Sequence, residues 1–90
     1  MAVNLNEELL QELSKLDRLV VDDHLYQIAV SEIQEEQFDL VAKAKAFEEA
    51  EGDVKKARAF YTKHRVQRMK VMIAQYTAFR MAEAQKENQK

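Results

Sequence analysis

Ninety residues with a formal net charge of −2, no Cys, no Pro and a single Gly describe one small domain. Without Cys there is no disulfide framework, no thiolate metal site and no Cys nucleophile, and so little turn chemistry leaves a chain that is nearly all helix. A lone domain of this size buries only about 60 to 65% of the surface its unfolded chain exposes, so association with another chain is a natural source of further stability.

The segment MAVNLNEELL has neither a basic start nor an apolar core of signal-peptide length, and no apolar run approaches the roughly 18 residues that span a bilayer. A cytoplasmic protein is the expectation. The first helix is predicted over about 7–21. Asn6 is placed to cap free backbone N–H groups, Leu5 and Leu10 occupy the two positions of a hydrophobic staple, and Glu7 and Glu8 suit the positive helix end. Leu9, Leu13, Leu16 and Val20 make its apolar stripe. Val20 and Val21 followed by Asp22 and Asp23 predict a break, because Asp favours caps over helix interiors; an unbroken helix through Val21–Asp23 is the alternative.

The second helix is predicted over about 24–50, burying Leu25, Ala29, Ile33, Leu40, Ala44 and Phe47. The only Gly then stands in the sequence EGD, at 51–53. Gly52 suits the left-handed C′ position and Asp53 suits the cap of the next helix, so a chain reversal is expected here. The third helix is predicted over about 54–85, with a polar tail, 86–90, that should fray.

Charge divides at the same Gly. Residues 1–53 hold 14 acids and 4 bases, and residues 54–90 hold 10 bases and 2 acids. Folding the second and third helices back on each other about Gly52 sets residues whose numbers sum to about 104 at one height. That register pairs Glu49 with Lys55, Glu48 with Lys56, Asp39 with Arg65 and Glu36 with Arg68, and sets Ile33 level with Val71 and Leu25 with Phe79. The basic run from Lys55 to Ala82 is therefore read first as one face of a self-neutralising pair of helices. Phosphate binding would need uncompensated positive charge on one surface, for which Arg58, Lys63, Arg65 and Lys70 are the candidates.

No arrangement in the sequence specifies catalysis or a metal. Asp22, Asp23 and His24 are adjacent and point in different directions; Glu32, Glu35, Glu36 and Asp39 share a helical face but lack the Glu-x-x-His partner of a di-iron bundle. That acidic face is expected to be solvated or salt-bridged, and His64 to be a packed or edge histidine. A helix-turn-helix DNA reader would want a short recognition helix after its turn, unlike the long segment 54–85.

The expected fold is all-α: an antiparallel helical hairpin of two long helices with a short N-terminal helix packed on its open end, three-helix bundle-like. The first helix is too short to cover the tip half, where Phe38, Phe47, Phe60 and Tyr61 lie, so apolar surface should remain there. The expected function is a small non-enzymatic protein–protein interaction module (adaptor, regulator or inhibitor) that forms a homodimer and uses no cofactor. Its partner-binding residues are Phe47, Phe60, Tyr61, Arg58 and Lys63. The alternative is a nucleic-acid-associated factor using the four bases named above.

Overall fold

The computed structural model describes residues 6–88, which form four helices: α1 (Glu7–Ser14), α2 (Arg18–Gln34), α3 (Leu40–Glu49) and α4 (Val54–Asn88). No strand occurs among the described residues. None of these helices is long and apolar enough to cross a membrane.

Asn6 caps α1 as its position suggests, its Oδ1 accepting from the Leu9 N–H at 2.9 Å. Leu5, the staple partner proposed for Leu10, lies outside the described residues. α1 then stops at Ser14 rather than near residue 21, because Asp17 caps a new helix through the Leu19 N–H at 2.9 Å. Val21, Asp22 and Asp23, the predicted break, are inside α2. Beginning α2 at Arg18 sets Val21, Leu25, Ile28 and Ala29 on one face, and all four belong to the same core cluster.

The second correction is larger. The helix predicted over 24–50 is two helices, because the chain leaves helical conformation at Glu35 and resumes it at Leu40. Glu36 takes the left-handed conformation (φ 55°), its N–H donates to the Ile33 carbonyl at 3.2 Å, and the Gln37 N–H donates to the Glu32 carbonyl at 2.9 Å. These are the two hydrogen bonds of a Schellman ending. Asp39 restarts the helix, its Oδ2 accepting from the Ala42 N–H at 3.0 Å.

The EGD turn is built in the same way. The Gly52 N–H donates to the Phe47 carbonyl and the Glu51 N–H to the Glu48 carbonyl, at 3.2 and 3.1 Å. Gly52 has the expected positive φ, 85°, but the C′ position belongs to Glu51 (φ 52°), one residue earlier. Asp53 caps α4 through the Lys55 and Lys56 N–H groups, at 3.0 and 3.2 Å. The 35 residues of α4 are about 52 Å long at 1.5 Å per residue, which accounts for most of the 56 Å long dimension of the molecule. The helix continues through Asn88, into the segment expected to fray; residues 89 and 90 lie outside the described residues.

The other three helices all pack on α4. Toward its middle, Leu13 of α1 and Leu25 and Ala29 of α2 enclose Val66 and Met69. Nearer the turn, α3 returns antiparallel and lays Ala42 and Ala46 against Tyr61, with Ile33, Phe38 and Phe60 around them. Two alanines one turn apart let α3 approach α4 closely. The single register expected about Gly52 does not survive the break at 35–39. Asp39 does lie beside Arg65 (3.6 Å), but it makes the closer pair with Arg68, the partner expected for Glu36. Glu49 meets Lys63 and His64 rather than Lys55, and Leu25 packs on Val66 and Met69 rather than level with Phe79.

Candidate functional site

A buried polar network ties both sides of the break between α2 and α3 to α4. Glu32 is 1% exposed and accepts three hydrogen bonds: from Arg65 Nε at 2.9 Å, from Arg65 Nη2 at 3.0 Å and from the Tyr61 hydroxyl at 2.8 Å. The same hydroxyl accepts from the Asp39 N–H at 2.9 Å. Asp39 in turn receives Arg68 Nε at 2.8 Å. Every buried side-chain polar atom of the described residues has a partner, which is the condition under which a buried ion pair is tolerated. Burial raises the Tyr61 hydroxyl to a pKa of about 12, the Asp39 N–H offsets part of that rise, and the Glu32 carboxylate adds to it.

With Tyr61 and Phe38 held edge to face at a centroid distance of 5.1 Å, a mostly apolar cleft of about 240 Å³ opens between α3 and α4 near the turn. Phe38, Phe47, Val54, Ala57 and Tyr61 line it together with Lys43 and Arg58. Phe47 and Val54 are 52% and 63% exposed at its mouth. Lys43 lies over the Phe38 ring, its Nζ 4.9 Å from the centroid. Neither Lys43 nor Arg58 forms an ion pair with a described residue, and no acid lines the cleft. The space is smaller than the roughly 300 to 1,000 Å³ of a small-molecule pocket and suits one or two apolar side chains.

No protein family, curated protein or solved structure matches this chain.

Of the residues singled out for partner binding, Phe47, Arg58 and Tyr61 come together in the cleft, but Tyr61 does so as its floor. At 2% exposed, Tyr61 is a core residue and not a surface anchor. Phe60 and Lys63 do not line the cleft. Phe60 is half-buried against the second core cluster, with Lys63 Nζ 5.3 Å from its ring centroid, and Lys63 pairs with Glu49 at 2.7 Å. Among the bases considered for phosphate binding, Arg65 is buried against Glu32 and Lys70 pairs with Asp22 at 2.9 Å. Arg58 alone of those four is left facing solvent without an acid among the described residues. Sequence reasoning singles out neither Lys43 nor Val54 for the site. The only signal for Val54 is an apolar residue directly after a capping Asp.

The acidic face of Glu32, Glu35, Glu36 and Asp39 is divided by the left-handed Glu36, which removes its helical alignment. Its two ends are salt-bridged, as expected for that face, and Glu32 is in addition buried. His64 is an edge histidine whose Nε2 meets the Glu49 carboxylate. Hydrogen bonds from Lys63 and His64 hold Glu49 below the ordinary carboxylate pKa. Among the described residues no group of three or more His, Cys, Asp or Glu is placed to hold a metal ion.

Proposed function

We propose that this chain is a cytoplasmic, non-enzymatic protein–protein interaction module, an adaptor, regulator or inhibitor that self-associates and works through the cleft between α3 and α4. One observation carries the reading: Phe47 and Val54 stand exposed at the mouth of an apolar cleft whose floor is held by a fully hydrogen-bonded buried network. An aromatic side chain beside a preorganised apolar recess is the arrangement typical of an interface anchor. Its basic rim adds selectivity for partners that carry acids.

Nucleic-acid binding has less support, since three of its four bases are neutralised by Glu49, Glu32 and Asp22. Size exclusion with light scattering over a hundredfold dilution from micromolar concentration tests the preferred reading. The mass should exceed the 10.5 kDa of one chain and fall on dilution, and Phe47→Ala should weaken association by about 1 to 3 kcal/mol. A clean monomer throughout removes self-association. Binding of duplex or single-stranded nucleic acid whose salt slope drops by about one on Arg58→Ala would favour the alternative.

A further inference from the structure

The helix α2 is apolar on two adjoining faces, about 100° apart round its axis. Leu25 and Ala29 are fully buried against α4, whereas Leu19, Tyr26 and Val30 are 75%, 48% and 44% exposed. Residues 19, 26 and 30 are spaced seven and four apart and so form one exposed stripe along a flank of the helix. A helix with apolar residues all round is normally covered on both sides. Asp23 lies within this stripe and pairs with no described base. Arg18, the only Lys or Arg on α2, lines a different groove with Leu13, Val21 and Lys70.

The stripe leads into the cleft. Ile33 is seven residues on from Tyr26, hence on the same face of α2, and it packs against the cluster of Ala42, Ala46 and Tyr61, of which Ala46 and Tyr61 line the cleft. Through Ile33 the stripe adjoins the cleft, so that Asp23 marks an acidic end of the apolar surface and Lys43 and Arg58 a basic end. A surface of this kind is complementary to itself when turned through 180°, which is what a two-fold interface between identical chains requires.

We infer that the occupant of the cleft is the outer stripe of α2 from a second copy of this chain, with the contact made twice in a two-fold dimer. Tyr26 of each copy reaches the recess beside Phe47 and Val54 of the other, and Asp23 faces Arg58. The inference rests on the interaction-module reading and names its partner. The size is adequate: Leu19, Tyr26, Val30, Phe47 and Val54 together expose on the order of 500 Å² per chain, and a standard interface of about 800 Å² per partner is about 57% apolar.

Sedimentation equilibrium of the full chain and its surface variants tests the pairing, with circular dichroism to verify that each variant is folded. Asp23→Lys and Arg58→Glu should each raise the dimer Kd about ten-fold or more, and the double variant should return to within about three-fold of the original. Tyr26→Ala and Phe47→Ala should each abolish most dimer alone. Mixed together they should form heterodimers more readily than either forms homodimers, because one of the two contacts stays intact. If Phe47→Ala weakens the dimer while Tyr26→Ala and the charge reversals do not, the cleft works but this occupant is wrong. If none of the four changes the mass, both the occupant and the cleft reading fail.

Discussion

Removing the Glu32 carboxylate should come close to unfolding the protein. Glu32 is 1% exposed and Arg65 is 4% exposed, and their two parallel hydrogen bonds of 2.9 and 3.0 Å give the guanidinium its main counter-charge. In Glu32→Ala the next carboxylate is that of Asp39, at 3.6 Å from Nη1 and already engaged by Arg68. Breaking a buried pair by deleting one partner typically costs about 3 to 5 kcal/mol, mostly the penalty of stranding the other charge. The Tyr61 hydroxyl also loses its acceptor, worth about 1 kcal/mol more. A 90-residue domain has only about 5 to 13 kcal/mol in total, and each kcal/mol corresponds to about 4 to 8 °C of melting temperature, so a fall of at least about 15 °C is expected. The double variant Glu32→Leu with Arg65→Met should recover most of the loss, because no charge is left buried. Thermal and urea unfolding followed by circular dichroism reads all three. A loss below about 1 kcal/mol in Glu32→Ala would refute the reasoning, since it would mean that the pair is solvated and does not hold the break between α2 and α3.

The left-handed residues give predictions of opposite sign. Glu36→Gly should stabilise by about 0.5 to 1 kcal/mol, because it relieves a β-carbon at φ 55°; a loss of stability would contradict that turn. Gly52→Ala should cost about 1 kcal/mol through backbone strain alone, as the new Cβ would meet only Phe47 Cζ at an ordinary 3.9 Å; an unchanged melting temperature would count against the turn. Alkaline pH should destabilise through Tyr61. Its folded pKa, about 12, is above the ordinary 10, so its contribution is complete below pH 10 and is lost as pH rises toward 12; Tyr61→Phe should remove that phase from a pH series of urea unfolding. Reversing Lys63 to Glu should have a small effect that vanishes at high salt, because its pair with Glu49 is exposed.

The helix signals that were legible are those with local chemistry. Asn6 before Glu7 and Glu8, and Gly52 before Asp53, are side chains whose capping or left-handed roles follow from their own structure, and α1 and α4 begin where they indicate. The break at 35–39 has no such mark. Ile33, Leu40, Ala44 and Phe47 continue the helical period across it, and the left-handed position is filled by Glu36 rather than Gly or Asn. Asp39 was the one available signal, and it resembles Asp22 and Asp23, which remain inside a helix. What separates them is the backbone partner: the Asp39 N–H donates to the Tyr61 hydroxyl while its Oδ2 accepts from the Ala42 N–H, whereas Asp22 pairs with Lys70 from inside α2.

The same distinction governs the candidate site. A surplus of aromatic residues near the turn was visible from the sequence, and Phe47 and Arg58 are in the cleft. Which aromatics would be covered was not visible, because periodicity places a residue on a helix face without saying how many neighbours that face receives. Tyr61 meets both α3 and the end of α2, so it is core; Phe47 belongs to neither core cluster and stays half-exposed. The Glu32–Arg65 pair, 33 residues apart, is not legible in the expected register, which sets Asp39 and not Glu32 beside Arg65.

We propose the α3–α4 cleft as the working face of the molecule. The most direct measurement is a dilution series followed by nuclear magnetic resonance of the Phe47 ring and the Val54 methyl groups, with the Val71 methyls and Phe79 ring, exposed on the distal half of α4, as internal comparison. Concentration-dependent shifts at Phe47 and Val54 should track the change in mass, with Val71 and Phe79 unmoved. Shifts confined to Val71 and Phe79, or a mass that changes while Phe47 and Val54 stay fixed, would contradict it.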